Sequence, residues 1–175
     1  MAEPKRFDLR PADPTDAPAI AAVNVAAGRI GWAPFLPRAR LQSFDPSVAR
    51  WEERLTAAGS RDAWLATEGD EVVGFVVTRP CRGDRTEGEL TGLYTDPRVW
   101  GAGVGRSLMA KALDVLAASG CREAVLWTEE RNRRPRALYA RAGWRPDGAT
   151  REREFLGTPI RELRYRIALA GGEAG

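Results

Sequence analysis

The hydrophobic residues of this chain recur with two different periods, and each period predicts a different kind of secondary structure. Short runs rich in β-branched and aromatic residues, bounded by glycine, proline or aspartate, predict β-strands. These runs lie at 7–10, 63–67, 72–78, 88–95, 123–128, 151–156 and 162–169. The second and third runs flank an EGDE turn and predict an antiparallel hairpin. The run EAVLWT is almost continuously apolar, which predicts a strand buried on both faces of a sheet.

Other segments carry apolar residues at the spacing of an α-helix. They begin at Thr15, run from Asp45 to Gly59, run from Arg106 to Ser119, and run from Asn132 to about Ala142. The segment 28–37, GRIGWAPFLP, is too rich in glycine and proline for a helix and is predicted to be a loop. Its aromatic residues either hold the loop against the core or line a substrate site.

The order of these elements predicts the fold class. The strand at 88–95 ends at Asp96-Pro97, because proline cannot continue a ladder of hydrogen bonds. A turn, a helix and the buried strand at 123–128 follow, which is the pattern of a right-handed βαβ unit with parallel strands. Together with the hairpin, this unit predicts an α/β or α+β fold built on a mixed sheet.

Length and composition predict one soluble domain. The chain has 175 residues, 43% of them hydrophobic, which is enough for a single core spanning 1–175. Its start lacks a long apolar segment, and no stretch approaches the roughly 20 apolar residues that a membrane span requires. We therefore expect a cytoplasmic protein without membrane contact. Cys81 and Cys121 form no spacing motif, so we expect two reduced thiols that pack in the core.

The absence of histidine excludes several kinds of catalysis within this chain. Ser-His-Asp and Cys-His mechanisms need an imidazole, and a zinc site would have to use carboxylates and two separated cysteines, so we expect no metal. Proton transfer must use a carboxylate, a tyrosine, a lysine or water. The net charge is only +3, with arginines interleaved among 24 acidic residues. This mixture argues against a nucleic-acid-binding module, which needs a contiguous basic face.

The segment RVWGAGVGRS at 98–107 carries three alternating glycines between a predicted strand and a predicted helix. The first N–H groups of a helix have no acceptor within it and carry the positive end of its dipole. Bare backbone at Gly101, Gly103 and Gly105 therefore predicts a phosphate site, the alternative being a tight turn without a ligand. The dinucleotide fingerprint and the Walker A loop do not fit, because Arg106 stands where they need glycine or lysine.

Two longer stretches, YTDPRVWGAGVGRSLM and LWTEERNRRPRALYARAGW, resemble the GNAT superfamily of acetyl-CoA-dependent N-acetyltransferases. The likeness extends from the opening RPADPTDAPAIAAV to the closing ELRYRIAL. It implies a mostly antiparallel central sheet of about six to seven strands, flanked by about four helices. It also implies that an acetyl group moves from acetyl-CoA to a primary amine of a small molecule or peptide, by direct attack with both substrates bound. A homodimer is a further expectation.

The resemblance implies where the cofactor binds. The family's loop pattern, [R/Q]-x-x-G-x-G/A, falls on Trp100, Gly103 and Gly105, so Trp100 replaces the usual arginine or glutamine. Arg98 and Arg106 are close enough in sequence to supply the missing charge. The residues implied to bind the cofactor are Leu93, Tyr94, Thr95, Trp100, Gly101, Gly103, Val104, Gly105, Arg106, Asn132 and Tyr139.

The resemblance also implies catalytic roles. Tyr139 matches a tyrosine that lies near the cofactor's sulfur, and a phenol with a pKa of about 10 can hydrogen-bond to or protonate a thiolate whose conjugate acid has a pKa of about 8.5. Glu87 and Glu89 lie at the head of the strand that carries the acetyl group in this family, on one face by the period of two. Glu89 is the favoured proton acceptor, followed by Glu87, with water or another carboxylate as alternatives.

The oxyanion and the acceptor complete the expected site. A backbone N–H of residues 93–95 is expected to bind the oxyanion at a strand bulge, which Gly92 makes plausible. Trp32 and Phe35 are expected to line the acceptor site. Small amines, antibiotics, amino acids and protein N-termini all remain open as acceptors. The alternative function is a non-catalytic domain of the same fold that binds or senses acyl-CoA.

Overall fold

A computed structural model describes residues 7–57, 62–83 and 85–169, which form seven strands and five α-helices. The strands are β1 (Asp8–Pro11), β2 (Ala63–Glu68), β3 (Glu71–Arg79), β4 (Glu87–Thr95), β5 (Glu123–Glu129), β6 (Arg145–Phe155) and β7 (Thr158–Ala168). The helices are α1 (Ala17–Gly31), α2 (Arg38–Gln42), α3 (Val48–Ala57), α4 (Val104–Ala118) and α5 (Arg133–Arg141). No helix in these ranges is long and apolar enough to cross a membrane.

The strands form one sheet in the order β1-β2-β3-β4-β5-β7-β6. All neighbours are antiparallel except β4 and β5, which are parallel and joined through α4. The predicted hairpin is confirmed as β2 and β3, and the predicted buried strand is confirmed as β5, between β4 and β7. The predicted mixed, mostly antiparallel fold is therefore confirmed.

Helices cover both faces of the sheet, and β3 supplies core residues to both layers. Val76 packs in one cluster with Leu108 of α4, whereas Phe75 packs in a second cluster with Ile20 of α1 and Leu55 of α3. Successive residues of a strand point to opposite faces, so a strand covered on both sides is apolar throughout. Burying each large side chain contributes about 1.5–3 kcal/mol, which holds the strands rigidly beneath the helices.

Strands β4 and β5 pair along only part of their length. Residues 87–89 pair with residues 123–125, and no pairing continues beyond Glu89. On the other edge of β4, Val77 pairs with Gly92 and Thr78 pairs with Leu90, so the register shifts at Thr91. Such a bulge bends the strand. The expected irregularity beside Gly92 is thus present, and the two strands separate to open a cleft.

Several predicted helix limits are wrong for local reasons. Thr15 does not cap α1, because Asp13 caps a preceding 3₁₀ turn and accepts a hydrogen bond from the Thr15 N–H at 2.8 Å. Helix α1 continues to Gly31 through part of the predicted loop. The loop was expected from its glycines, but at Gly28 the missing side chain makes room for Trp32, whose ring would lie 2.6 Å from an added Cβ.

Other limits also differ from the prediction. Helix α4 begins at Val104 rather than Arg106, and β6 begins at Arg145, six residues before the predicted strand. The short helix α2 was not predicted, since five residues carry too little periodicity to be recognised. The second predicted helix corresponds to α3, which the structure describes as far as Ala57. Its predicted end at Gly59 lies outside the described residues.

The expectation of two reduced cysteines is wrong, because Cys81 and Cys121 form a disulfide. Cys81 follows β3, and Cys121 lies between α4 and β5. Their Cα atoms are 5.6 Å apart although the residues are separated by 40 positions in sequence. The pairing arises because α4 ends beside the end of β3, a proximity that no local spacing encodes.

Candidate functional site

A cleft of about 430 Å³ lies beside the second half of β4. Its walls are the end of α1, the second half of β4, the glycine loop, the start of α4 and one side of α5. The predicted cofactor residues all line it: Leu93, Tyr94, Thr95, Trp100, Gly101, Gly103, Val104, Gly105, Arg106, Asn132 and Tyr139. The structure therefore brings together two sequence motifs that lie about 30 residues apart.

The glycine loop presents backbone donors to this cleft. Ser107 donates the first helical hydrogen bond, to the Gly103 carbonyl at 3.0 Å. The N–H groups of Val104, Gly105 and Arg106 thus have no acceptor within the helix, and they carry the positive end of its dipole. This arrangement suits a phosphate group, which needs several convergent donors and positive potential.

The three glycines serve different purposes. Gly101 and Gly103 have φ of +86° and +92°, a left-handed conformation that favours glycine, and a Cβ at either position would meet no atom within 4 Å. They thus shape the turn and leave its cleft side open. Gly105 differs from them, because it has no positive φ and a Cβ there would make an ordinary van der Waals contact with Leu138 at 3.4 Å.

Trp100 stands at the entrance to the glycine loop in a fixed orientation. Its indole Nε1 donates a hydrogen bond to the Thr95 carbonyl at 2.9 Å. The guanidinium carbon of Arg134, at the start of α5, lies 4.0 Å from the centre of its ring, which is close enough for a cation–π contact.

Arg98 does not supply the charge that was expected of it at the loop. Its guanidinium donates hydrogen bonds to both carboxylate oxygens of Asp96, at 3.1 and 2.8 Å, and to Glu71 at 2.6 Å. Chiefly because of the Arg98 hydrogen bonds, the pKa of Asp96 lies below its usual range. Arg106 does line the cleft. Arg98 instead ties the β4–α4 loop to β3.

Two further arginines of the cleft, Arg134 and Arg141, were not identified from the sequence. Both belong to α5. From this part of the chain, the sequence had predicted only Asn132 and Tyr139 as cleft residues. The basic segment RNRRPR was the available signal. Its arginines could not be separated by sequence into those facing the cleft and those facing solvent.

Asn132 and Tyr139 lie where the cleft narrows. Asn132 is the N-cap of α5, but its side chain makes no capping hydrogen bond, so its amide is free to face a ligand. Tyr139 is buried, and burial, reinforced by nearby Tyr94, raises the pKa of its phenol above the ordinary value. Its hydroxyl makes no hydrogen bond to another described residue. A protonated phenol without a partner therefore faces the narrow part of the cleft.

A second, smaller cavity of about 110 Å³ adjoins the cleft. The two share Trp32, Tyr94, Asn132 and Tyr139, among other residues. Phe35, expected from the sequence, lines only the smaller cavity, together with further aromatic side chains. Trp32 packs edge-to-face against Phe155, with ring centres 4.9 Å apart, so the α1–α2 connection also belongs to a buried cluster. The segment is thus held against the core, and because Trp32 and Phe35 also line a cavity, the substrate-lining interpretation stays a prediction.

Glu87 and Glu89 do not line either cavity. Glu89 forms an ion pair with Arg79 of β3, and Glu87 forms one with Arg166 at 3.0 Å. The intervening Gly88 faces α4, since its Cβ would contact Leu116, and neighbouring residues of a strand point to the opposite face. The geometry thus does not support either residue as the group that receives the amine proton.

Two other carboxylates, which the sequence did not single out, line the smaller cavity: Glu129 and Glu162. The Glu129 side chain is 3% exposed and accepts hydrogen bonds of 2.6 Å from the backbone N–H and the Nε of Arg131. Arg151 and Arg153 donate to Glu162 at 2.7 and 3.0 Å. Burial opposes ionisation of Glu162, but these hydrogen bonds prevail and keep its pKa below the usual range.

Comparisons with known proteins agree with this geometry. The model of the acetyltransferase (GNAT) family matches residues 30–144. An uncharacterized N-acetyltransferase of Mycobacterium bovis is 32% identical over 138 residues, which are 77% of this chain and 86% of that protein. A mycothiol acetyltransferase of Beutenbergia cavernae is 44% identical over 63 residues, but this match covers only 36% of this chain and 21% of that protein.

A solved structure shows the same fold. The PaiA N-acetyltransferase from Thermoplasma acidophilum, in complex with coenzyme A, superposes with a TM-score of 0.75 at 16% identity. The match covers 90% of this chain and 98% of that one. The family match spans the glycine loop, α5 and the cleft between them. This chain therefore belongs to the GNAT family of acetyltransferases.

Proposed function

We propose that this chain transfers an acetyl group from acetyl-CoA to the primary amine of a small molecule or peptide. The observation that carries the proposal is the continuity of two cavities at Tyr139. The larger cavity ends at the open N–H groups of the glycine loop, and the smaller one offers a separate space for an acceptor. Two substrates can thus meet beside one buried phenol, as direct attack requires.

The residues of the larger cavity fit coenzyme A. Its pyrophosphate needs hydrogen-bond donors and positive charge, which the backbone at 104–106 and the arginines of the cleft offer. The Asn132 amide is suited to the amide groups of the pantetheine arm. Acetyl-CoA supplies an acetyl group activated as a thioester, and the chain's own residues bind and orient it.

The chain also offers a group to stabilise the oxyanion. Beyond Glu89, β4 no longer pairs with β5. Backbone N–H groups in this part of β4 that point away from β3 are therefore open to the cleft. We therefore retain a backbone N–H of Leu93, Tyr94 or Thr95 as the oxyanion donor. A preorganised donor at this place lowers the barrier because it needs no reorientation as negative charge develops.

Tyr139 is proposed to donate a hydrogen bond to the departing thiolate. Because burial raises its pKa, the phenol keeps its proton throughout the neutral range and remains a donor. A thiolate whose conjugate acid has a pKa of about 8.5 is stabilised by that hydrogen bond as the carbon–sulfur bond breaks.

The amine must lose a proton during the reaction. Glu89 and Glu87 are the candidates from the sequence, and Glu129 is the candidate favoured by its position in the smaller cavity. A pH–rate profile separates them. If Glu129 accepts the proton, Glu129→Gln removes the acidic limb of the kcat/KM profile, whereas Glu89→Gln keeps it. Retention of that limb by all three glutamine variants would leave water or another carboxylate, such as Glu162 of the smaller cavity, as the acceptor.

The proposed activity is tested by thiol release from acetyl-CoA across a panel of amines, amino acids, peptides and aminoglycosides, with mass spectrometry of the products. We expect saturable release that depends on an amine and yields the acetylated amine. Saturable binding of acetyl-CoA without turnover on any member would instead support the second function, an acyl-CoA-binding or sensing domain. A single domain over 1–175, a cytoplasmic location and a homodimer remain predictions from the sequence.

A further inference from the structure

Position 100 lacks the long polar side chain of the family pattern, because Trp100 stands where that pattern has arginine or glutamine. The indole is nevertheless held in one orientation. Its Nε1 donates to the Thr95 carbonyl at 2.9 Å, which ties the ring to the end of β4. The ring also lines the cleft beside Gly101. Trp100 is therefore a fixed flat surface at the mouth of the phosphate-binding loop.

Arg134 occupies that surface. Its guanidinium carbon lies 4.0 Å from the centre of the ring, and the residue lines the same cleft although it belongs to α5. Unlike Arg98, which is neutralised by Asp96 and Glu71, Arg134 pairs with no carboxylate of the described residues. A stacked guanidinium keeps its N–H donors in the plane of the group, where they remain available to an anion.

We infer that Trp100 positions Arg134 as a cation that grips the pyrophosphate of coenzyme A, in place of a charged side chain at position 100. This inference rests on the proposed function. It makes Arg134 a binding residue and Trp100 a positioning residue. It also means that the two side chains act as one unit, so the loss of either removes most of the same interaction.

The test measures affinity rather than turnover, by calorimetric titration of coenzyme A into the wild type, Arg134→Ala, Trp100→Ala and the double variant. Arg50→Ala is the matched control, since it removes one exposed arginine of α3 that lines neither the cleft nor a cavity beside it. We expect about tenfold weaker binding for Arg134→Ala, because a charged hydrogen bond is lost. We expect the control to stay within about twofold of the wild type.

The double variant supplies the decisive comparison. If Trp100 acts through Arg134, the double variant binds coenzyme A about as weakly as Arg134→Ala alone. Multiplicative losses would show that the two side chains act independently and would overturn the inference. Trp100→Phe retains a ring and replaces Trp100→Ala in the test if that variant does not fold. We expect its affinity for coenzyme A to lie between those of the wild type and Arg134→Ala.

Two further outcomes separate this inference from the proposed function. Pantetheine carries no pyrophosphate, so its affinity should be equal in the wild type and Arg134→Ala; an equal loss for pantetheine would overturn the inference. Trp100→Arg restores the family's charge but removes the ring beneath Arg134, and we expect no tighter binding than the wild type.

If the wild type does not bind coenzyme A, the proposed function itself fails. If it binds and Arg134→Ala matches it, only the inference fails.

Discussion

Two glycine variants should lose similar stability but differ in their affinity for coenzyme A. Gly103, at the start of α4, and Gly120, just after its end, have φ of +92° and +83°, and a Cβ at either would meet no atom within 4 Å. Alanine in this left-handed conformation costs about 1–2 kcal/mol. For a chain of this length, that loss lowers Tm by roughly 2–8 °C. Gly103→Ala and Gly120→Ala should therefore destabilise the fold by similar amounts.

Their effects on coenzyme A should differ. Gly103 lines the cleft and Gly120 does not. The Cβ of Gly103→Ala would keep a phosphate from one or two backbone N–H groups, each worth about 1.5–3 kcal/mol when the acceptor is charged. We thus expect coenzyme A to bind at least tenfold more weakly to Gly103→Ala and with unchanged affinity to Gly120→Ala. Thermal unfolding and calorimetric titration of both variants measure the two effects. Equal affinities for the two variants would refute the assignment of the loop.

Three other predictions concern different parts of the molecule. Tyr139→Phe should lower kcat by roughly 10²–10⁴-fold with little change in coenzyme A affinity or Tm, since its hydroxyl has no described partner; unchanged kcat would exclude its role as a donor to the thiolate. Reduction of Cys81–Cys121, which closes a loop over 40 positions, should cost about 4 kcal/mol, or roughly 8–16 °C in Tm, whereas a variant with serine at both positions should not respond to reductant. The folded-state pKa of Glu162 lies below its unfolded value near 4.5, so its ionised form stabilises the fold above that pH and loses this effect as pH falls. The difference in unfolding free energy between wild type and Glu162→Gln should accordingly be largest above about pH 5 and shrink below it; a difference independent of pH would contradict this.

The features that sequence predicted well are those encoded locally. Apolar periodicity identified α4 and the buried strand β5, and Asp96-Pro97 marked the end of β4. The alternating glycines identified the open N–H groups at the start of α4, because left-handed backbone and free donors both depend on a few consecutive residues. These local signals sufficed for the fold class and for the cofactor wall of the cleft.

The features that sequence missed depend on side chains brought together from distant positions. Arg134 reaches Trp100 only because the start of α5 lies beside the glycine loop, and Cys81 reaches Cys121 only because α4 ends near β3. Glu89 shares a strand with the cleft residues, yet it points to the opposite face from Gly88 and pairs with Arg79. No spacing along one segment encodes such contacts, since they are set by how the elements pack.

The most direct test of the site is a crystal structure of this chain with coenzyme A. The predicted result has pyrophosphate oxygens about 2.9 Å from backbone nitrogens at 104–106, and the thiol within hydrogen-bonding distance of the Tyr139 hydroxyl. A pyrophosphate bound away from the glycine loop, or a thiol on the far side of the cleft from Tyr139, would contradict the proposed site.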